Sequence, residues 1–589
     1  MLSVPGAGGS GEEAGRIRSY PRPTCAIIGY MPETLETDAQ ATHTVFNQST
    51  ALEDVNLYEI DLPLREAVRR EGAGWAEERI GELGELCGSA EVLRAGRDAN
   101  DYSPKIKTHD RFGHRVDEVE FHPAWDLLMD IGISHSLHSL PWREPGPGAN
   151  VARAALFTQL TQAEAGVGCP ISMTFSVIPA LRAQPDVAAE WEPRFLSNEY
   201  DGHLRPAWEK PGALAGMAMT EKQGGSDVRA NTTRAVPIDG GGPGGEYAIT
   251  GHKWFCSAPM CDAFLVLAQT DPGVSCFLVP RFTPDGERNR FELQRLKEKL
   301  GNRSNASSEV EFRDTWGLMV GEDGRGVRTI IEMVAHTRLD CAIGSAAGMR
   351  NAVAQATHYA RNRSAFGRKL IEQPLMTNVL ADLCLESEAA TAAVMRLARA
   401  YDEAAAGDES AALLQRLATP VLKYWICKRA PWHAAEALEC LGGNGYIEES
   451  GMPRLFRESP LMSIWEGSGN VQCLDALRAM VKSPASADAF FAEVAAAAGS
   501  APRLDAHVER LRDSIASSPE TLEVRARRVV EDMALALQAS LLVRHGDPAV
   551  ADAFCASRLG GPGAYGHAFG TLPAGTDFAR IIERSTPTV

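Results

Sequence analysis

The sequence predicts an α+β fold in which helical regions flank a central β domain and further helices follow. Residues 41–211 carry apolar residues at interrupted helical spacing, whereas 212–324 carry short apolar runs between turn residues. The helical period returns over 325–482 and continues in an Ala- and Arg-rich stretch, 483–589. At roughly 150 residues per domain, a chain of 589 residues agrees with the several domains that these changes define.

The composition is that of an ordinary globular protein. With 59 basic and 77 acidic residues the net charge is -18, so the surface repels nucleic-acid phosphates unless it carries a local basic patch. Twelve cysteines without a CxxC pair predict no metal site. No apolar run reaches the roughly 18 residues of a membrane helix, and the first twenty residues lack a signal-peptide core. We therefore expect a soluble, reduced, cytoplasmic protein.

The N-terminal region is expected to begin with a mobile leader. Residues 1–40 are rich in Gly, Pro, Glu and Thr and show little apolar periodicity. A helix is predicted to start near Pro123, because Trp125 and Ile131 belong to a set of apolar residues at helix spacing. The Ala-, Leu- and Gln-rich run 151–165 predicts another helix.

Four short segments of the central region are predicted to be strands. Two are continuous apolar runs bounded by turn residues, one follows a glycine-rich insert in a hairpin, and one alternates polar and apolar residues. These segments are 264–268, 275–279, 247–250 and 309–312. They predict that the region 212–324 is a β domain.

Long packed helices are predicted after residue 325. One apolar face has residue spacings of 7, 4, 3 and 4, and no proline interrupts 375–419. This face consists of Leu383, Ala390, Val394, Leu397 and Tyr401. In the last region, helices are predicted over 504–515 and 522–542, and Gly560-Gly-Pro-Gly563 interrupts the pattern.

The first candidate functional segment is Met217-Ala-Met-Thr-Glu-Lys-Gln-Gly-Gly-Ser-Asp227. Its two glycines, Gly224 and Gly225, permit a positive φ and a close approach of the backbone. Thr220 and Ser226 offer hydroxyl groups, and free amides in such a loop can bind an anion. A Gly-Gly turn with capping residues explains the segment equally well.

The second candidate segment is Gly251-His-Lys-Trp-Phe-Cys-Ser257. A flat aromatic side chain, Phe255, is followed two residues later by the hydroxyl of Ser257 at the end of a strand. Such a pair can cover a planar cofactor and donate a hydrogen bond to its edge. The more common role of two aromatic residues in a strand, packing in the core, is the alternative.

The third candidate segment is Leu441-Gly-Gly-Asn-Gly-Tyr446, followed by Ser463-Ile-Trp-Glu-Gly-Ser-Gly-Asn470. Glu466 lies between Trp465 and Gly467 with few other charges nearby in sequence. A carboxylate held against aromatic surface has a raised pKa, which suits it to take a proton from a weak carbon acid. A glutamate that caps a helix or forms a salt bridge is the alternative.

Together and in this order, the segments resemble the acyl-CoA dehydrogenase superfamily over about residues 150–480. TEKQGGSD stands where that family has T-E-P-x-A-G-S-D, IWEGSGN stands for I-Y-E-G-T, and Arg363-Ser-Ala-Phe-Gly367 matches R-x-x-F-G. The resemblance implies a helical N-terminal domain, a middle β-barrel, a C-terminal four-helix bundle, bound FAD and a homotetramer. The stretch 483–589 would then be an extra helical domain.

The resemblance also implies which residues bind the cofactor. Met219, Thr220 and Ser226 would contact the flavin or its phosphates, and Phe255 would cover the isoalloxazine ring, with Ser257 near flavin N5. Two further residues would reach the FAD of a neighbouring subunit, namely Arg363 and Phe366. The implied set is completed by Gly225, Cys256, Trp465, Gly467, Ser468 and Asn470.

Glu466 stands at the position of the family's catalytic base, and Arg338 matches a family arginine near that base. The base takes the α-proton of an acyl thioester while hydride leaves the β-carbon for the flavin. In such an enzyme the cofactor carries out the redox chemistry, and the protein supplies the base and the orientation. For Arg338, a plain salt bridge is an equally good interpretation.

A narrower resemblance is to the AidB-type branch of this family, which belongs to the adaptive response to DNA alkylation. That branch is similar in its fold and FAD binding, its substrate is unsettled, and its C-terminal domain is associated with double-stranded DNA. The extra helical domain and several segments carry the resemblance. These segments are Thr44-Val-Phe-Asn47, Glu221-Lys-Gln-Gly-Gly225, Lys297-Glu-Lys-Leu-Gly-Asn-Arg-Ser-Asn-Ala-Ser307 and Glu449-Ser-Gly-Met-Pro-Arg454.

Two hypotheses of function follow from these resemblances. The first is an AidB-type FAD-dependent enzyme with weak α,β-dehydrogenation of an unknown substrate. The second is a DNA-associated protein that protects against alkylation, with a flavin that is structural or destroys alkylating agents. Residues 471–589 hold 12 basic and 14 acidic residues, which does not predict DNA binding. Two arginine clusters in this region could contact DNA, but a solvated helix face is the alternative interpretation of each. The clusters are Arg503, Arg510 and Arg512, and Arg525, Arg527 and Arg528.

Overall fold

The computed structural model describes residues 42–517, 519–560 and 568–588. The expected leader, 1–40, lies outside the described residues, as does most of the Gly560–Gly563 interruption. Residues 42–48 belong to a separate unit and contain neither helix nor strand. Ser49–Val589 form one compact unit, whose elements are given below.

Helices dominate the N-terminal region, as expected. Their bounds are α1 Leu62–Arg70, α2 Glu77–Gly88, α3 Ala90–Asp101, α4 Pro123–Ser134, α5 Leu140–Arg143, α6 Ala149–Ala163, α7 Gly168–Leu181 and α8 Pro185–Phe195. The predicted start near Pro123 is confirmed: Pro123 is the first residue of α4, where a missing amide proton costs nothing. The side chain of His122 caps this helix by accepting from the amide of Ala124.

The N-terminal region also contains a hairpin that the sequence did not predict. Strand β1 (Lys105–His109) pairs antiparallel with β2 (Arg115–Glu120). Its turn is fixed by the Asp110 carboxylate, which accepts from the amides of Phe112 and His114. The one fully buried residue of the two strands is Asp117, a polar residue, so they lack the buried apolar residues by which a strand is recognised.

The central region is a β-barrel, as the family resemblance implied. Its strands are β3 Ala215–Ala218, β4 Arg234–Pro237, β5 Glu246–Ser257, β6 Ala263–Gln269, β7 Val274–Pro280, β8 Phe291–Leu296 and β9 Ser307–Val320. Pairing runs β6-β4-β5-β9-β7 and returns from β7 to β6, which closes the barrel; β3 adds to β6 and β8 to β9. All four predicted strands are confirmed, and each is longer than its apolar signal.

The C-terminal bundle is built from long helices. Its helices are α9 Gly326–Asn362, α10 Pro374–Ala405, α11 Glu409–Cys440, α12 Met452–Glu458 and α13 Gly469–Lys482, with a short hairpin of β10 (Ser364–Ala365) and β11 (Arg368–Lys369) between α9 and α10. Every residue of the predicted apolar face on α10 is buried. Helix α11 continues through Pro420 and Pro431. The proline-free stretch 375–419 therefore does not show where this helix ends.

Five helices follow the bundle within the described residues. They are α14 Pro484–Ala495, α15 Pro502–Ala516, α16 Ala526–His545, α17 Pro548–Arg558 and α18 Phe578–Ser585. Helix α16 begins at Ala526 rather than at the predicted Leu522, because the chain forms a separate turn at Pro519–Thr521 and exposes Val524. No helix in the described ranges combines the length and apolarity needed to cross a bilayer.

The changes of secondary structure lie near the domain boundaries expected from the sequence. Strand β3 begins at Ala215, helix α9 at Gly326 and helix α14 at Pro484. The boundaries at 211, 324 and 482 themselves stay predictions, since Ser49–Val589 pack as a single unit.

A buried cluster of charges attaches the last helices to the bundle. Arg558 of α17 donates to the carboxylates of Asp382 and, at 3.1 Å, Glu386, both on α10. Arg429 of α11 also donates to Glu386, at 3.2 Å. Burial raises the pKa of Glu386, but the charges of Arg429 and Arg558 outweigh it and lower this pKa to about 2. The cluster is therefore charged at neutral pH.

Removing the arginine of this cluster should destabilise the C-terminal helices. Arg558→Met leaves two buried carboxylates with too few partners, and breaking a buried ion pair in this way costs about 3–5 kcal/mol. We expect a correspondingly lower urea midpoint and faster amide hydrogen exchange in α16 and α17. Arg580→Met is the control: Arg580 pairs with Asp547 at the surface at 2.9 Å, and its loss should cost about 0–1 kcal/mol. Equal effects of the two changes would contradict the assignment.

Candidate active site

A cavity of about 830 Å³, counting the space open to solvent, lies between the helices that precede the barrel, the barrel itself and the bundle. Helices α6 and α7, strands β3 and β5, helix α9 and the loop before α13 all contribute side chains. The lining residues are Phe157, Thr161, Ala165, Gly168, Cys169, Ser172, Met173, Met217, Met219, Thr220, Phe255, Ser257, Thr337, Asp340, Cys341, Met462, Trp465 and Glu466.

The cavity brings together residues from all three candidate segments. Six of the residues singled out from the sequence line it, although they come from parts of the chain that are far apart. They are Met219, Thr220, Phe255, Ser257, Trp465 and Glu466. The juxtaposition of an exposed ring, hydroxyl groups and the carboxylates of Glu466 and Asp340 gives this cavity the chemistry of a binding site.

The side chain of Glu466 enters the cavity from a strained loop. Its φ is +57°, in the left-handed region that costs a residue with a side chain about 1–3 kcal/mol, and Gly467 follows at +96°. Any side chain at Gly467 would meet Gln472 and Val471, so glycine is required there. The Glu466 carboxylate accepts a hydrogen bond of 2.7 Å from the hydroxyl of Thr337 on α9.

This loop is held by side chains that donate hydrogen bonds to three of its consecutive backbone carbonyls. The buried ammonium of Lys423 on α11 donates to the carbonyls of Trp465 at 2.8 Å and Gly467 at 2.6 Å. Arg338 Nε donates to the carbonyl of Glu466 between them, at 3.0 Å, and Gln472 Nε2 donates to the same carbonyl at 3.0 Å. The peptide that presents Glu466 is therefore fixed on both sides.

Arg338 contacts the backbone of Glu466 rather than its carboxylate. Its Nη1 lies 2.8 Å from Asp475 of α13, and Asp475 is also bound by Arg416 at 2.7 Å. The salt bridge that was one interpretation of Arg338 is thus present, together with the contact to the loop. This geometry makes Arg338 a positioning residue.

The surroundings of Glu466 raise its pKa. Burial raises the pKa of the carboxyl above its ordinary value, while the Thr337 hydroxyl and the charges of Lys423 and Arg338 lower it, and burial prevails. A carboxylate with a raised pKa is a stronger base than an exposed one.

The end of strand β5 presents an aromatic ring and a hydroxyl to the cavity. Phe255 is 53% exposed, with the Lys297 ammonium 4.5 Å from its ring centroid, and Ser257 Oγ lies 3.4 Å from Ser307 Oγ. Cys256, between them, points to the other face and is fully buried, where burial raises its pKa to about 12. Strand alternation therefore separates Cys256 from the cavity.

The loop after β3 is held by one buried ion pair. Glu221 Oε1 lies 2.9 Å from Lys253 Nζ, and both side chains are inaccessible to solvent. Glu221 also accepts from the amides of Thr232 and Thr233, at 2.7 and 3.1 Å. Burial lowers the pKa of Lys253 to about 8, although Glu221 opposes the shift. Burial alone would raise the pKa of Glu221, but Lys253 and these hydrogen bonds hold it well below its usual range.

The glycine-rich part of this loop lies at the surface. Gly225 packs so closely on Thr220 that an added Cβ would lie 2.4 Å from its hydroxyl oxygen. The backbone amides of Gly225 and Ser226 have no acceptor in the described part of the chain. Such amides suit an anionic ligand such as a phosphate group.

The remaining residues of the sequence-derived set lie outside the cavity. Ser468 directly precedes helix α13 at the surface, and Asn470 accepts a hydrogen bond from Arg527 of α16 at 2.8 Å. Arg363 directly follows α9, and Phe366 is 99% exposed at the turn of the β10–β11 hairpin with a φ of +52°. Phe366 therefore projects away from the chain that carries it.

Several residues of the site had not been found from the sequence. Thr337 and Lys423 fix Glu466 and its loop, and a bidentate pair joins Asp340 in the cavity wall to Arg153 at 2.6 and 2.8 Å. Lys423 had a usable signal, because it is the lone charge in the otherwise apolar run 417–427. Thr337 had none beyond its position next to Arg338.

The residues present fit a planar, negatively charged cofactor. An exposed ring and a hydroxyl face the cavity, and free amides lie on the adjoining loop. The indole Nε1 of Trp465 is buried without a hydrogen-bond partner, which is costly unless a ligand accepts from it. These features match the flavin, its polar edge and its phosphates.

Family models match most of the chain in three consecutive parts. The model described as adaptive response protein AidB N-terminal domain matches residues 47–202. The acyl-CoA dehydrogenase middle domain matches 216–315, and the acyl-CoA dehydrogenase C-terminal domain matches 324–481.

Individual proteins are similar over nearly the whole length. The chain is 48% identical to AidB of Escherichia coli (strain K12) over 516 residues, which are 87% of this chain and 94% of that protein. The crystal structure of Caenorhabditis elegans ACDH-11 in complex with C11-CoA has a TM-score of 0.81 at 26% identity, covering 90% of this chain and 95% of that one. An acyl-CoA dehydrogenase of Bacillus anthracis complexed with FAD shares the fold, with a TM-score of 0.60, 17% identity and coverages of 74% and 80%.

Removing one charge of the Glu221–Lys253 pair should destabilise the protein more than removing both. Glu221→Gln leaves the Lys253 ammonium buried without its counter-ion, and we expect the free energy of unfolding to fall by about 3–5 kcal/mol. Glu221→Gln with Lys253→Met removes both charges and should recover a substantial part of this loss. Urea unfolding of both variants measures the difference.

The matched control for this pair is Glu192→Gln. Glu192 pairs with Arg182 at 2.5 Å at the surface, so its loss should cost about 0–1 kcal/mol. If the double variant at 221 and 253 were no more stable than Glu221→Gln alone, the coupling between the two charges would be refuted.

Proposed function

Since the chain belongs to the acyl-CoA dehydrogenase family, in its AidB-like branch, we propose that it is an FAD-containing oxidoreductase that dehydrogenates an acyl compound between its α and β carbons. The observation that carries this proposal is the cavity in which the Glu466 carboxylate shares one space with Phe255 and Ser257. A base and a platform for a planar ring are the two parts that this reaction requires of the protein.

Glu466 is the base in this proposal. Its carboxylate takes the α-proton of the substrate and becomes a neutral acid, the form that burial favours. The Thr337 hydroxyl fixes the orientation of the carboxylate, and Lys423, Arg338 and Gln472 fix its backbone. A base held in this way needs no rearrangement when a substrate binds.

The residues around the cavity would hold FAD. Phe255, Ser257 and Trp465 would bind the ring system, and the amides of Gly225 and Ser226, with Thr220, would bind the phosphates. Bound FAD would supply the two-electron acceptor that takes hydride from the β-carbon. Arg363 and the projecting Phe366 would complete the site of a neighbouring subunit, which is why we propose a homotetramer.

An acyl thioester is the substrate class that the relatives favour, because ACDH-11 was crystallised with C11-CoA. The wall of the cavity in this chain is not uniformly apolar. Asp340 follows Thr337 by one turn of α9, Cys341 lies beside it, and Cys169 faces them from α7. The two thiols pack as small apolar groups, so the polar part of this wall is the Asp340 carboxylate, which Arg153 binds.

The DNA-associated alternative has less support in the structure. Five of the six clustered arginines have partners in the protein itself. Arg510 donates to a carbonyl, Arg512 covers Phe491, Arg525 donates to Ser514, Arg527 donates to Asn470 and Arg528 pairs with Glu531 at 3.6 Å. Arginines used in this way are less available to a phosphate backbone than free ones. We therefore propose the oxidoreductase as the principal function.

Replacing the base should stop flavin reduction without releasing the flavin. In Glu466→Gln the proton acceptor is lost, and the rate of anaerobic bleaching by an acyl thioester should fall by about 10²–10⁴-fold. Stopped-flow absorbance of the flavin band measures this rate. The exposed Glu449→Gln is the control and should bleach like the unmodified protein.

Two outcomes would refute parts of this proposal. Equal bleaching of Glu466→Gln would remove Glu466 as the base. If the protein is yellow but no thioester bleaches it, the proposed dehydrogenation is refuted and the flavin assignment stands.

Removing the Thr337 hydroxyl should shift the pH dependence of the reaction. The ionised Glu466 loses a hydrogen bond in Thr337→Val, so its pKa rises further above the ordinary value. Because the base acts only when ionised, the acidic limb of kcat/KM should move to higher pH, by about one unit. Thr357→Val, on the same helix but away from the cavity, should leave the profile in place.

A further inference from the structure

A second recess lies between α8 and the barrel and shares no lining residue with the candidate active site. We call it the aromatic groove; it is formed by Trp191 of α8, Trp208, Phe282 and Trp316 of β9, with Glu190 at its edge. Its volume is about 670 Å³, counting the space open to solvent. Three of the ten tryptophans of the chain therefore meet in one place.

The rings of the aromatic groove do not cover one another. None of these four rings, all in the described part of the chain, stacks on another member of the set; Trp191 contacts only the ring of Phe195, with centroids 5.5 Å apart and planes tilted by 31°. Trp208 is 42% exposed, Phe282 and Trp316 are partly exposed, and Trp191 is buried. The space open to a ligand therefore lies beside Trp208, Phe282 and Trp316.

No basic side chain among the described residues covers these ring faces. At some other exposed rings the chain does supply one: Lys297 lies 3.6 Å from the Trp254 ring centroid, and Arg111 lies 4.8 Å from that of Phe112. In the aromatic groove no Lys or Arg from the described ranges lies over a ring. Electron-rich faces are thus left available to an external cation.

The edge of the groove supplies a negative charge. The exposed carboxylate of Glu190 has no ion-pair partner among residues that the structure describes, whereas Glu192, on the same helix, pairs with Arg182. Arg194, one turn further, is turned to the backbone carbonyl of Glu190. The carboxylate is therefore available to a ligand that enters the groove.

We propose that the aromatic groove binds a small organic cation that carries a trimethylammonium group. Methyl groups on the nitrogen leave no N–H to satisfy and spread the charge over an apolar surface, which matches rings better than hydrogen-bond acceptors. The rings face the methyl groups, and Glu190 balances the charge. Asn289 holds Trp316 in place by bonding both its amide, at 2.9 Å, and its carbonyl, at 2.8 Å, so part of the groove is formed in advance.

Choline and its uncharged isostere, 3,3-dimethyl-1-butanol, test the proposal on the full-length protein. They differ in the charge of one atom and hardly in shape. Equilibrium dialysis with radiolabelled choline, and displacement by the alcohol, should show saturable binding in which choline is favoured by about tenfold or more. Equal affinity for the two, or no saturable choline binding, would overturn the proposal.

Two variants assign the binding to this place. Trp208→Leu keeps an apolar side chain but removes a ring, and Glu190→Gln removes only the charge; each should weaken choline binding by about tenfold and leave binding of the alcohol nearly unchanged. Trp432→Leu, which removes an exposed tryptophan from α11, is the matched control. Unchanged choline binding in both groove variants would place the site elsewhere and overturn the assignment.

Discussion

The candidate active site depends on the way one strained peptide is held. Glu466 adopts a backbone conformation that costs about 1–3 kcal/mol, and it does so because neighbouring groups over-determine it. Lys423 and Arg338 donate three hydrogen bonds to consecutive carbonyls of this loop. Hydrogen bonds from charged donors contribute about 1.5–3 kcal/mol each, so together they outweigh the strain. The loop is stable in a conformation that it would not adopt alone.

The same cations also set the chemistry of the carboxylate. Lys423 donates to backbone carbonyls, and Arg338 donates to a backbone carbonyl and to Asp475, so neither forms an ion pair with the Glu466 side chain in the described structure. Their charges lower its pKa only from a distance, and burial still prevails. A direct ion pair would have held the carboxylate ionised and weakened it as a base. Because Lys423 and Arg338 bind the backbone of this loop and not the carboxylate, Glu466 is fixed in position and its pKa stays raised.

The sequence predicted the fold class and several residues that line the cavity better than the contacts that hold them. Glu466, Phe255 and Ser257 lie in short segments whose residue types are unusual together, so they could be recognised locally. Thr337 lies 129 residues before Glu466, and Lys423 lies 42 before Trp465. Such partners are fixed by how α9 and α11 pack, which periodicity does not report. The β1–β2 hairpin was not predicted for a different reason, because its strands bury no apolar residue fully.

Two loops on opposite walls of the cavity are fixed in the same way, because a buried charged side chain of a strand or helix binds each of them. Glu221 is tied to Lys253 within the barrel, as the Glu466 loop is tied to helices of the bundle. Because both loops are anchored, the positions of Glu466 and Phe255 are set by the fold itself. Side chains that hold neither loop, such as Cys169, Ser172 and Met173 of α7, can vary without moving them. The arrangement of a carboxylate and a ring in one cavity can therefore persist while the shape of the remaining wall changes.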